Sequence, residues 1–321
     1  MRVVFWASVP LARREVIERL QTVPGAELTV VESLPDLLAA LPGAEALVLY
    51  DAPEAKAREV VAALNAPGNT VRWMHFVSAG REGFEAVGLP AGVTVTYAAG
   101  GVAPTVAEHA MALVLALGRR VPAVLAQQAE RKWSRAPSAQ ATSLEGGVMA
   151  IVGYGQIGRE LARRARAFGM RVVAVSRTVK TDELLDECHP LAELHRVLAT
   201  ADVVVVAIAL TAQTRHLFDR QALAACKPGA LLVNVARGGV IDQAALAEAL
   251  ASGHLGGAGL DVTDPEPLPA SDPLWDAPGL IITPHYAGGG SPVSMARLGD
   301  GVAANLQRLM AGEPLHDVVQ G

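Results

Sequence analysis

The chain has 321 residues, 51% of them hydrophobic and 18% charged, with a formal net charge of -5. That length suggests about two domains, each large enough for its own core. The composition excludes disorder, which needs low hydrophobicity and high net charge, and the acidic balance argues against a nucleic-acid partner, whose phosphates are met by a basic face. The two cysteines, Cys188 and Cys226, form no CxxC pair, so no disulfide framework and no metal site is expected. The N-terminus lacks the basic and apolar regions of a signal peptide. No apolar run approaches the roughly 18–20 residues that span a bilayer, so no membrane partner is expected and a reducing cytoplasm is the expected compartment.

Strand-like and helix-like runs alternate from the start. Residues 2–6, 27–31, 46–50, 73–77 and 93–97 read as strands, and 11–20, 34–41 and 54–64 as helices between them. Apolar strands separated by helices of this length imply parallel pairing with crossovers, hence a first doubly wound α/β unit. Residues 104–119 form a long Ala- and Leu-rich helical pattern, and 121–145 a mixed segment without clear strands. Strands return at 148–152, 171–176, 203–208, 230–234, 256–260 and 280–282, with helices such as 157–168 and 243–251 between them. Six strands suit a complete dinucleotide-binding sheet. Residues 293–310 are helical again.

Gly153-Tyr154-Gly155-Gln156-Ile157-Gly158 follows the apolar run 148–152 directly and opens a helix. In that context each glycine has a task. Gly153 allows the tight turn, Gly155 lets the backbone approach a pyrophosphate, and Gly158 lets the helix pack on the strand. The helix N-terminus offers free N–H groups to the anion. An acid that bonds the ribose 2′-hydroxyl of NAD is expected about 20 residues on. Here the next strand ends in Ser176-Arg177-Thr178. These residues can bond and neutralise a 2′-phosphate, so NADP is the preferred cofactor, with NAD possible. The arginines at 159, 163, 164 and 166 read as a solvated helix face.

Three polar residues end predicted strands of the second unit, where α/β sheets place their ligands. Arg237 stands in Asn234-Val235-Ala236-Arg237-Gly238-Gly239, Glu266 between Pro265 and Pro267, and His285 in Thr283-Pro284-His285-Tyr286-Ala287-Gly288. Histidine is the side chain best suited to exchange a proton near neutral pH. A carboxylate beside it would raise its pKa. The other histidines, among them His75 and His109, read as structural.

The ordered set GYGQIG, NVARGGVID, GLDVTDPEPLP and TPHYAGG resembles the D-isomer-specific 2-hydroxyacid dehydrogenase family, over nearly the whole chain. The resemblance implies a Rossmann dinucleotide-binding domain (residues 99–287) inserted into a flavodoxin-like substrate domain (1–98 plus 288–321), both doubly wound α/β. It implies that Arg237 binds the carboxylate and keto oxygen of a small 2-oxo acid. His285 then exchanges the proton with the carbonyl, and Glu266 orients it. The loop Ser78-Ala79-Gly80 would grip the substrate carboxylate through backbone N–H groups, and Asp261 would hold the nicotinamide carboxamide. Further cofactor contacts are implied for Thr105, Gln156, Ile157, Ile208, Ala209, Val235, Ala236, Ala287 and Gly288. The expected activity is that of a glyoxylate or hydroxypyruvate reductase. The alternatives are a phosphoglycerate dehydrogenase-like enzyme and a dinucleotide-sensing, corepressor-like binding protein. The resemblance also implies a homodimer, with the 121–145 segment as an arm.

Overall fold

A computed structural model describes residues 1–319. It contains two compact units: Met1–Val102 with the segment from Gly289 onward, and Ala103–Gly288. The first unit runs β1 (Arg2–Trp6), α1 (Arg13–Gln21), β2 (Glu27–Val31), α2 (Leu34–Ala40), β3 (Ala46–Leu49), α3 (Glu54–Leu64), β4 (Trp73–Phe76), α4 (Glu82–Val87) and β5 (Thr94–Tyr97). Its five strands are all parallel, in the order β2-β1-β3-β4-β5. That is the flavodoxin-like order.

Side-chain alternation along each strand supplies both faces of this sheet with apolar groups. Val4, Trp6, Leu47, Leu49, Met74 and Phe76 pack toward α2, α3 and α4. Val3, Phe5, Ala46, Val48 and Trp73 point the other way, toward α1 and the last helix of the chain, Pro292–Ala311. Each fully buried large side chain contributes about 1.5–3 kcal/mol relative to exposure. Beyond that helix the chain returns to the sheet, where Thr96 bridges Val318 and the Val319 N–H donates to the Val95 carbonyl. This is why the C-terminal segment belongs to the first unit.

The second unit runs α5 (Ala103–Gly118), α6 (Val121–Ala129), β6 (Val148–Val152), α7 (Gln156–Ala167), β7 (Arg171–Val175), β8 (Glu187–His189), α8 (Leu194–Leu198), β9 (Val203–Val206), α9 (Arg220–Ala225), β10 (Leu231–Asn234), α10 (Gln243–Ala251), β11 (Gly257–Leu260) and β12 (Leu280–Ile282); the terminal helix is α11. Its sheet has seven parallel strands, ordered β12-β11-β10-β9-β6-β7-β8. Six were expected. The seventh, β8, is a three-residue edge strand of sequence Glu-Cys-His with no apolar alternation to reveal it. It is recruited by register, with Val173, Ala174 and Val175 facing Glu187, Cys188 and His189. The strand order reverses at β6/β9, the switch point where such sheets bind ligands. Among the described residues, no single helix is long and apolar enough to cross a membrane.

In the first unit, His75 is buried beside the Trp73 ring, with Nδ1 2.7 Å from the Thr96 hydroxyl. Burial drives its pKa down to about 3. A histidine depressed in the folded state leaves stability intact above the unfolded value near 6.5 and erodes it as pH falls below that. Chemical denaturation of the protein is expected to show a loss of about 1.4 kcal/mol per pH unit between 6.5 and 4.5 from this group. His75→Asn should flatten that slope. An unchanged slope would assign the acid sensitivity to other groups.

Candidate active site

The carboxyl ends of β6, β7, β10, β11 and β12 carry nearly all the polar residues singled out in the second unit. At β6, Gly153 adopts φ +104, and a Cβ there would lie 2.5 Å from the Ala207 carbonyl and the Ile208 nitrogen. Only glycine allows the loop to cross so close to the end of β9. A Cβ at Gly155 would meet nothing within 4 Å, so the outer side of the loop is open. Gly155 precedes the first turn of α7, and no side chain caps that helix start. Its N–H groups are available to an anion. An open loop over an uncapped helix fits the pyrophosphate of a dinucleotide. When bound, such a group donates or accepts a hydride.

At β7, Ser176 is buried and its N–H donates to the His189 carbonyl, while Arg177 and Thr178 are exposed. Arg177 has no ion pair or hydrogen bond among the described residues. The segment after them is tied to the glycine loop by Lys180 Nζ, which donates to the Tyr154 carbonyl at 3.0 Å. It is tied to α7 by Arg159, 2.8 Å from Asp182. Arg159 keeps to the solvated helix face expected for it, 42% exposed, while pairing with Asp182. Asp182 lies 23 positions along the chain, and periodicity carries no signal of such a pair.

Beyond β10, Asn234 is fully buried and clamps the turn. Its Nδ2 donates to the Arg237 carbonyl at 2.9 Å, and its Oδ1 accepts from the Ala236 N–H at 3.0 Å. Gly238 then meets the loop beyond β11. A Cβ at 238 would sit 2.0 Å from the Thr263 carbonyl carbon and 2.5 Å from the Asp264 nitrogen. The missing side chain is what lets the arginine loop and the glutamate loop touch. Glu266 Oε1 accepts from the Thr263 N–H at 3.1 Å, which turns the carboxylate back toward the sheet.

His285 comes from the loop after β12 with φ +50, a left-handed conformation that is strained for a residue with a Cβ. Its Nδ1 lies 2.8 Å from Glu266 Oε2. The hydrogen bond to Glu266 raises its pKa above 6.5. Burial opposes that rise, the Glu266 charge adds to it, and the Arg237 charge lowers it again. At Glu266 burial favours the neutral form. The bond and charge of His285, the Thr263 N–H and the Arg237 charge outweigh it and hold the carboxyl below 4.5. With Nδ1 committed to Glu266, His285 Nε2 has no partner among the described residues, and the side chain is 48% exposed. An imidazole whose charged form is favoured by a carboxylate partner, beside a guanidinium, is equipped to protonate an oxygen that gains negative charge.

Asp261 is 2% exposed. Its Oδ1 accepts from the Thr283 hydroxyl at 2.6 Å and the Tyr286 N–H at 3.2 Å, and its Oδ2 from the Ala287 N–H at 3.1 Å. Oδ2 retains a lone pair. Thr105, in the first turn of α5, donates to the Gly288 carbonyl at 3.4 Å. Val235, Ala236 and Ala287 are buried, Ile208 is partly buried and Ala209 is exposed. Ser78, Ala79 and Gly80 follow β4 in the other unit, where Arg81 donates to the Ala79 carbonyl at 3.1 Å.

Residues 111–287 match the family model described as D-isomer specific 2-hydroxyacid dehydrogenase, NAD binding domain. A solved structure of a D-isomer specific 2-hydroxyacid dehydrogenase family protein from Aeromonas salmonicida superposes with a TM-score of 0.86 at 30% identity, covering 99% of this chain and 98% of that one. The chain belongs to the D-isomer specific 2-hydroxyacid dehydrogenase family. The D-3-phosphoglycerate dehydrogenase of Mycobacterium tuberculosis is 38% identical over 287 residues, 88% of this chain and 52% of that protein. The chain thus spans about half the length of that relative. The (S)-sulfolactate dehydrogenase of Chromohalobacter salexigens is 42% identical over 201 residues, 61% of this chain and 63% of that protein.

Within this family site, the pairing of His285 with Glu266 can be tested without turnover. In an NMR titration, the wild-type His285 ring should lose its proton above pH 6.5. Glu266→Gln removes the charged hydrogen-bond partner responsible for that rise and should bring the midpoint to 6.5 or below. A midpoint unmoved by the substitution would mean that the carboxylate does not hold the imidazolium.

Proposed function

We propose that the chain is an NAD(P)-linked dehydrogenase that interconverts a small 2-oxo acid and its 2-hydroxy acid, the substrate carrying a second anion on C3. The observation that carries the chemistry is the 2.8 Å contact of His285 with Glu266. Hydride addition at C2 leaves negative charge on the carbonyl oxygen. His285 Nε2 gives that oxygen its proton, and Arg237 supplies a fixed positive charge. In the reverse direction His285 takes the proton back. Glu266 favours the imidazolium and fixes its orientation. Ser78, Ala79 and Gly80 hold the substrate carboxylate by backbone N–H groups, and Asp261 Oδ2 accepts from the carboxamide of the nicotinamide.

The sequence by itself ranked glyoxylate and hydroxypyruvate first and phosphoglycerate second. The two relatives support the reverse order, because phosphoglycerate and sulfolactate both carry an anion at the far end of a three-carbon acid. Arg81, next to the Ser78–Gly80 loop, is the cation proposed for that anion. Its Nε lies 2.6 Å from Glu85 Oε1 and its guanidinium 4.5 Å from the Tyr97 ring centroid, so the anion would compete with Glu85. NADP(H) is the proposed preference, since no acid stands at Ser176-Arg177-Thr178 to repel a 2′-phosphate.

Steady-state reduction of phosphohydroxypyruvate, sulfopyruvate, hydroxypyruvate and glyoxylate, each with NADPH and NADH, tests the reading. The two acids with an anionic group on C3 should exceed the others in kcat/KM by about tenfold or more, the worth of one charge-assisted hydrogen bond. Ser176→Asp should shift the cofactor ratio toward NADH. A preference for glyoxylate would restore the original ranking. No turnover with any acid would leave the binding-protein alternative.

The partner proposed is a second copy of this chain. Helix α6 buries none of its residues, and Val124, Leu125 and Trp133 are 48, 56 and 99% exposed. Sedimentation equilibrium should return a dimer mass for the protein and a monomer mass for Leu125→Asp. A wild-type monomer refutes the assignment.

A further inference from the structure

The turn that carries His285 is wrapped around Asp261. The His285 N–H donates to the Asp261 carbonyl at 2.8 Å, and the side chain or N–H of Thr283, Tyr286 and Ala287 donates to the Asp261 carboxylate. These bonds oppose the relaxation of His285 from φ +50 to an unstrained conformation. Behind them stands α5. His109 is 13% exposed, with Nε2 3.0 Å from Thr283 Oγ1 and 3.4 Å from Asp261 Oδ1. Its ring meets Tyr286 edge-on at 4.9 Å between centroids.

The proton positions follow from the network. Thr283 gives its only hydroxyl proton to Asp261, so toward His109 it can only accept. His109 Nε2 therefore carries a proton and points it at the threonine oxygen and the carboxylate. Thr105 lies four residues earlier, on the same face of α5, and ties down Gly288 just past the turn. One helix face thus grips the turn near both ends, and the histidine does so at the carboxylate.

We propose that His109 is a positioning residue for His285: through Thr283 and Asp261 it locks the left-handed turn that presents His285 to Glu266. It touches neither substrate nor the transferred proton. The inference rests on the reading of His285 as the proton donor, and it gives His109 a task that the sequence did not suggest.

The test uses the full chain and reads two quantities. The first is the NMR titration of His285, which needs no substrate. The second is kcat for whichever 2-oxo acid the enzyme reduces. In His109→Phe the turn loses its tether, and the His285 midpoint should fall toward the ordinary 6.5 while kcat drops about 10- to 100-fold, the effect of misplacing a reacting group by around 1 Å. His109→Gln, whose amide can donate from near the position of Nε2, should restore both. Thr283→Val removes the hydroxyl between the two groups without altering α5 and should reproduce the fall in the titration, which covers a failure of His109→Phe to fold.

The inference is overturned by a folded His109→Phe that titrates like wild type, by a Gln variant no better than Phe, or by an unchanged titration in Thr283→Val. Should no 2-oxo acid be reduced, the proposed function fails, and the titration still decides the positioning role by itself.

Discussion

Asp261 holds its carboxyl group at 2% exposure, a placement that is costly unless hydrogen bonds replace the lost water. It is met by the Thr283 hydroxyl and by the N–H groups of Tyr286 and Ala287, and the Asp261 carbonyl receives the His285 N–H. The bonds serve two ends. They offset the desolvation of the charge, and they force the chain after β12 to curl around it. His285 adopts its left-handed backbone within that curl, in the same turn from which its ring meets Glu266.

Two close approaches of backbone set the rest of the site. At Gly153 the glycine loop crosses the exit of β9, and at Gly238 the arginine loop meets the loop beyond β11. In each case a single Cβ would push apart segments that are distant in sequence. Parallel strands deliver all these loops to one edge of the sheet, because every strand ends on the same side. The glycines then let neighbouring loops converge enough for Arg237 to influence both Glu266 and His285. The guanidinium favours the charged carboxylate and disfavours the charged imidazole. Glu266 therefore favours the imidazolium against the opposing effect of the nearby guanidinium.

The exposure of the pair matters to this balance. Glu266 is 38% and His285 48% exposed, so solvent screens part of their attraction and the pair adds little to stability. Its effect is on the protonation of both partners. Stability resides elsewhere, in the two apolar faces of each sheet, and the buried carboxylate and the neutral buried His75 are the polar groups those cores have had to accommodate.

Much of this was legible in the chain itself. Apolar runs of strand length alternating with helical periods announce two parallel α/β units, since only parallel sheets covered on both faces need such continuous apolar strands. The glycine spacing after 148–152 marks the phosphate loop, and the motifs around Arg237, Glu266 and His285 mark the site by residue type and order. Local pattern could not reveal β8, whose three residues become a strand only because β7 offers them an edge. It could not reveal the ion pair of Arg159 with Asp182, nor the place of His109 behind Thr283, because each joins positions that meet only after the sheet is assembled. What the sequence determined alone was which elements form and which chemical groups are present, because periodicity and turn chemistry act within a few residues. What tertiary structure decided was which of those groups face one another, because hydrogen bonds and charges act over ångströms of space regardless of separation along the chain.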